Sequence, residues 1–224
     1  METYNSASVE NFIKTVYNFE LREGWDTRSG SIARELGITN AAATDMARKL
    51  ALKNLIDYRK YKELKLTEAG KKLAMEIIRK HRLWETFLHR VLDLSLHEIH
   101  REAEMLEHAT SDFLMEKISK YLGDPISDPH GDPIPDRNGE LIAPEECISL
   151  SIALADREYE ICRLIGSDQE FYEFCLNNHL QIGSILSLKK QYEQSKMTEV
   201  VVKNTKLLLN ADWSRFIFVK DNKQ

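Results

Sequence analysis

The chain has 224 residues, of which 42% are apolar and 30% charged, so it carries enough material for a core and too much hydrophobicity for a disordered segment. No stretch approaches the roughly 20 apolar residues that span a bilayer, and the start, Met1-Glu-Thr-Tyr-Asn, lacks the basic-then-apolar pattern of a signal peptide. The expectation is a cytoplasmic protein without membrane contact. A net charge of −5 argues against a polyanion-coating protein but leaves room for a local basic face. The three cysteines are odd in number and form no CxxC pair, which speaks against a disulfide framework or a thiolate zinc site and for a reducing compartment.

From the N-terminus, Glu10 to Leu21 places Phe12, Ile13, Val16, Tyr17 and Phe19 on one side of a helix. Ser31 to Leu36 reads as a short helix closed by Gly37, and Thr39 or Asn40 can cap a further helix from Ala41 to Leu52. Two helices around a tight glycine turn form a helix-turn-helix. The charged, alternating run Leu55 to Thr67 then reads as a β-hairpin wing. On the second helix Ala43, Ala47 and Leu50 face inward, while Ala41, Thr44, Asp45 and Arg48 share the opposite face, where small residues let the backbone approach base edges. Between Arg28 and Lys65 nine basic residues face four acidic ones, a local charge of +5 inside an acidic chain. A double-stranded DNA partner is therefore expected, with Thr39, Asn40, Ala41, Thr44, Asp45, Arg48, Lys49, Arg59 and Lys60 as the contacting residues.

Five of the seven histidines fall between His81 and His108. On a helical segment from His97 to Leu114, His100, Glu104, Glu107 and His108 stand at i, i+4, i+7 and i+8, one stripe at 3.6 residues per turn. His81 and Glu85 repeat the i, i+4 spacing on the preceding helix. Apolar neighbours such as Leu83, Trp84 and Leu106 imply a partly buried polar stripe, and buried charges need partners such as a metal ion. Nitrogen and oxygen donors without thiolate suit divalent manganese, iron or zinc. His89, His97, His130 and His179 read instead as solvated or structural, with His130 as a loop cap. All five prolines lie between Pro125 and Pro144, the clearest boundary in the chain. Beyond it, Thr198 to Val202 and Arg215 to Val219 read as strands, Asp168 to Asn178 as a short helix and Gly183 as a turn, so the last seventy-odd residues form a small, mostly β module.

These segments resemble, in order, the diphtheria toxin repressor family of iron- and manganese-dependent regulators. The resemblance rests on Ile32-Ala-Arg-Glu-Leu-Gly-Ile-Thr, Leu64-Lys-Leu-Thr-Glu-Ala-Gly, Arg79-Lys-His-Arg-Leu-Trp-Glu-Thr-Phe-Leu, the run from His100 to Asp112, and Asp128-Pro-His-Gly-Asp-Pro-Ile-Pro. It implies a mainly α chain with a small β module, made of a winged helix over 1–71, a helical metal-binding and dimerisation domain over 72–140 and an SH3-like β-barrel over 141–224. It further implies a homodimer that binds palindromic operators when metal-loaded and represses metal-uptake genes. One metal site would use His81, Glu85 and His100, completed by Glu170 or, second, Asp168. The other would use Glu104, Glu107 and His108 with Asn11 from the first helix. Iron-type members carry cysteine at the place of Glu104, so the carboxylate favours Mn(II) over Fe(II), with Zn(II) or Co(II) as in vitro substitutes. Manganese-type members place glutamate where this chain has Lys14. Rival readings are a metalloenzyme or a metal-storage or delivery protein built on the same ligands; no HExxH, GxSxG or Gly-rich phosphate loop supports an enzyme.

Overall fold

The computed structural model describes residues 6–21, 24–141, 146–166 and 168–222. Of the residues read as a chain break, Pro144 lies outside that set. Contacts divide the chain into two compact units: 1–81 with 104–115 and 135–140, and 82–103 with 116–134 and 141–224.

The first unit opens with helix α1 (Ala7–Glu20), which buries Phe12, Ile13, Val16 and Phe19. Helix α2 (Ser29–Glu35) ends in a Schellman closure. Gly37 takes φ +64°, its N–H bonds the Arg34 carbonyl at 3.3 Å, and the Ile38 N–H bonds the Ala33 carbonyl at 2.9 Å. Helix α3 (Asn40–Leu52) is capped by the Thr39 hydroxyl, which accepts the Ala42 N–H at 3.1 Å. Its buried face is Ala43, Ala47 and Leu50, so α2 and α3 pack closely through small side chains. Strands β1 (Ile56–Asp57) and β2 (Lys65–Leu66) pair antiparallel, Ile56 opposite Leu66, and form the expected wing. Helix α4 (Glu68–Leu92) supplies Ala74 and Ile77 to the same core. Gly70 is required at its start because a β-carbon there would stand 2.0 Å from the Leu55 carbonyl oxygen.

The helix expected from His97 to Leu114 is broken. Helix α5 (Leu96–Leu106) passes into a 3-10 turn at Glu107–Ala109, and helix α6 (Asp112–Tyr121) follows. Thr110 turns to an extended backbone and its hydroxyl bonds back to the Leu106 carbonyl at 2.6 Å, while Ser111 starts α6 by accepting the Leu114 and Met115 amides. Two consecutive hydroxyl residues offer the backbone an alternative to the helix, and here they win.

The second unit contains an antiparallel six-stranded sheet in the order β3-β8-β4-β5-β6-β7. Its strands are β3 (Ile148–Ser149), β4 (Arg157–Leu164), β5 (Ile185–Tyr192), β6 (Met197–Val202), β7 (Thr205–Leu209) and β8 (Ile217–Asp221), with α7 (Gln169–Asn177) after β4 and α8 (Ala211–Phe216) before β8. Alternation puts Thr198, Val200 and Val202 inside, against Tyr159, Ile161, Phe171 and Leu188. The expected barrel is not closed: β3 and β7 are the two ends of the order and do not pair, β3 being only two residues long. Arg215 and Phe216, expected in a strand, belong to α8 instead, because Asn210 caps that helix through the Trp213 amide at 2.8 Å. Cys147 and Cys162, expected as free thiols, are joined as a disulfide. Their Cα atoms are 6.6 Å apart, a proximity that a sequence separation of 15 does not reveal. Cys175 is free and buried. Among the described residues no helix is long and apolar enough to cross a membrane.

Candidate metal centre

In the first unit α1 and the end of α5 supply a cluster of opposite charges. Glu104, Glu107 and His108 each offer a donor atom, all within 4.8 Å of one another. Glu107 is fully buried, and its two oxygens serve different partners. One lies 2.6 Å from Lys14 Nζ, the other 2.5 Å from His81 Nδ1. Lys14 Nζ also lies 2.6 Å from Glu104 Oε1, and His81 Nδ1 is 3.7 Å from that same oxygen. Glu10, one residue before Asn11, reaches His108 Nδ1 at 2.6 Å. Within this cluster two buried polar atoms make no hydrogen bond: Asn11 Oδ1, and His108 Nε2, which stands 3.5 Å from Glu107 Oε1. Burying an unpaired acceptor is costly. Both are the atoms an amide and an imidazole would offer to a cation, so the donor set Asn11, Glu104, Glu107 and His108 fits a divalent ion. The ammonium among the two carboxylates does not fit a second ion beside it.

The second unit holds a separate acidic and imidazole group. Glu85, 2% exposed, stands on α4 one turn beyond His81. Its Oε1 lies 3.2 Å from His100 Nδ1 and 3.7 Å from His130 Nε2. His130 is not a loop cap facing solvent: it is 7% exposed, its other ring nitrogen lies 3.2 Å from the Tyr172 hydroxyl, and its carbonyl accepts the Leu164 amide. Burial alone would lower its pKa, but Glu85 first and then Asp128 and Asp132 reverse the sign, so the imidazolium is favoured. Asp128 ties the loop by accepting the amides of His130 and Asp132, both at 2.9 Å. Burial, with Asp132 and Glu85 nearby, pushes its carboxyl up to about 7. Asp168 caps α7 through the Phe171 amide at 2.8 Å, and Glu170 is exposed in that helix's first turn. Among the described residues neither joins a candidate metal group.

Elsewhere in the first unit, expected DNA-contacting residues share a surface. Arg28, Arg34, Asn40, Thr44, Arg48, Lys60 and Lys62 line one groove between α2, α3 and the wing, and Arg59 lines the neighbouring one. Thr39, Asn40, Ala41, Asp45, Arg48, Lys49, Arg59 and Lys60 are exposed, Thr44 half-buried. Two are partly committed within the helix: the Thr44 hydroxyl donates to the Asn40 carbonyl at 2.8 Å, and Asp45 pairs with Lys49 at 2.8 Å.

Two family models match the chain: the N-terminal DNA-binding domain of iron-dependent repressors over residues 5–64, and their metal-binding and dimerisation domain over 67–136. The HTH-type transcriptional regulator MntR of Geobacillus kaustophilus (strain HTA426) is 32% identical over 100 residues, 45% of this chain and 70% of the relative. The protein of the same name in Bacillus subtilis (strain 168) is equally similar, over 69% of its length. The chain belongs to the diphtheria toxin repressor family. Among solved members of like fold, a manganese-dependent transcriptional repressor in complex with manganese superposes with a TM-score of 0.87 at 28% identity, covering 95% of this chain and 99% of that one. ScaR with bound zinc gives 0.79 at 29%, over the same shares. Sequence reasoning missed four participants: Glu10, Lys14, His130 and Tyr172. Glu10 and Lys14 sit at i, i+4 on α1 and flank Asn11, which was the available signal. His130 and Tyr172 meet across 42 residues and gave none.

Proposed function

We propose that this chain is a DNA-binding transcriptional repressor that responds to Mn(II), with Fe(II) as the alternative ion, and acts as a homodimer on palindromic operators of metal-uptake genes. The observation that carries this reading is the convergence of Glu104, Glu107 and His108 within 4.8 Å, with the unpaired Asn11 Oδ1 buried on α1. Asn11, Glu104, Glu107 and His108 would hold one ion, and Glu85 and His100, with Glu170 from the β module, a second. A bound divalent ion would add positive charge on the side of His108, beyond the single charge that the Lys14 ammonium brings to Glu104 and Glu107. The protein's own residues do the rest. Asn11 belongs to the helix that carries the winged-helix core, and Glu107 is buried at the start of the 3-10 turn, so joining them fixes α1 against that turn. Two recognition helices must be held at the spacing of half-sites about one DNA turn apart, and a loosely held α1 broadens that spacing. Linkage then requires DNA to tighten metal binding by the factor with which metal tightens DNA binding, commonly about 5–150-fold.

The relatives named above support the same reading, since one is by name an HTH-type transcriptional regulator and another a manganese-dependent transcriptional repressor. A gel shift on the upstream region of a metal-transporter gene tests it. Manganese should strengthen binding of the wild type at least about tenfold over chelator, and Glu104→Ala should remove that gain. Equal binding with chelator and with manganese would overturn the proposal.

A further inference from the structure

We propose that Lys14 is the resident cation of this centre: its ammonium takes the position between Glu104 and Glu107, so the centre admits a single divalent ion, on the side of His108. The inference rests on the reading of this cluster as a metal centre but can fail separately from it. Lys14 Nζ stands 2.6 Å from an oxygen of each carboxylate, and its side chain is only 12% exposed, against 0% for Glu107. A surface lysine would leave its head in water. This one is desolvated and charge-assisted on both sides. The two oxygens converge on one point, and that point holds nitrogen. A divalent ion placed within a few ångströms of the ammonium would be repelled at low local dielectric. Asn11 Oδ1 and His108 Nε2, which make no hydrogen bond, mark where donor atoms remain for an ion.

The position matters as much as the charge. Lys14 lies on α1, three residues after Asn11, and Glu104 and Glu107 lie at the end of α5 and in the turn after it. The lysine therefore makes, without metal, part of the same connection that a bridging ion makes. It should leave the metal-free protein more ordered at α1 than carboxylate repulsion alone allows, and it should reduce the number of ions bound.

The test compares wild type, Lys14→Glu and Lys14→Met as full chains, with Lys80→Met as a control for removing a half-buried ion pair of the same unit, that with Asp112. Manganese per chain is counted by elemental analysis after equilibrium dialysis, and Tm is read in chelator. Lys14→Glu should bind one manganese more per chain than wild type. Lys14→Met should melt lower than wild type in chelator by on the order of 5–10 °C, because Glu107 is left buried without its cation, and added manganese should return most of that loss. Lys80→Met should change neither count nor recovery. Equal manganese counts in wild type and Lys14→Glu, or an unchanged Tm for Lys14→Met, would each overturn the proposal. If no variant binds manganese, the metal reading itself fails, and the drop in Tm of Lys14→Met still decides whether the lysine neutralises the pair.

Discussion

At Asp128 a single carboxylate sets the pH behaviour expected of the metal-free protein. Its carboxyl is pushed up to about 7, by burial first and then by Asp132 and Glu85, so the folded state holds a proton that the unfolded chain has already released. A carboxyl raised on folding makes stability fall as pH rises from the unfolded value near 4 to the folded one near 7, by at most about 1.4 kcal/mol per pH unit. Asp128→Asn keeps an oxygen for the His130 and Asp132 amides and removes the titration. In chelator, its Tm should decline less steeply between pH 5 and 7 than that of wild type; parallel curves would contradict the assignment. Three residues on, Gly131 takes φ +88°, and a β-carbon there would stand 2.1 Å from the Cys162 carbonyl oxygen. Gly131→Ala combines a left-handed backbone with a clash against a strand, and should cost at least about 2 kcal/mol in denaturant unfolding. Neither residue announces this in the sequence. The proline-rich motif was legible as a break, but what its polar residues pack against is set by β4 and α7, some thirty to forty residues away.

The helix-turn-helix was legible because every local signal agreed: period, the Thr39 cap, the Gly37 closure and small inward residues on α3. The His100–His108 stripe was legible as a pattern of spacings but not as a continuous helix, since hydroxyl residues at 110 and 111 redirect the backbone after Leu106. For the reading helix itself, side-chain commitments sort the expected contacts. Lys49 is held by Asp45, whereas Arg48, among the described residues, has no ion-pair partner. The prediction is that Arg48 on α3 reads bases and that Lys60 on the wing holds phosphate. Lys60→Ala should weaken binding about evenly across DNA sequences and lower the slope of log K against log salt by about 0.9. Arg48→Ala should cost about 1–3 kcal/mol on the preferred operator and less on unrelated DNA. Titrations at four salt concentrations on both DNAs distinguish these outcomes, and an unchanged slope for Lys60→Ala would remove the wing from the interface.

In the whole molecule, two compact units mean two separable stabilities, and the β module stabilises the one to which it belongs. The loop from Asp128 to Asp132 is stapled to that module at several points. The Leu164 amide donates to the His130 carbonyl, Tyr172 touches the His130 ring and also donates to the Gly166 carbonyl, and Arg163 pairs with Asp132. Through His130 the staple reaches Glu85. The module therefore does more than cover a surface: it sets the backbone that places the His130 imidazole beside the buried Glu85 carboxylate. Removing one staple should loosen this unit and leave the winged helix as it was. Tyr172→Phe should cost about 1 kcal/mol, one hydrogen-bonding hydroxyl, and Arg163→Ala more, because Asp132 keeps only the more distant Arg82 at 3.7 Å. Hydrogen exchange reads both effects at known amides. Those of Gly131 and Leu164 should exchange about tenfold faster in Arg163→Ala, the equivalent of about 1.4 kcal/mol, while those of Ala47 and Leu50 on α3 keep their wild-type rates. Equal acceleration at all four amides would mean that the two units open together and that the loop is no local staple.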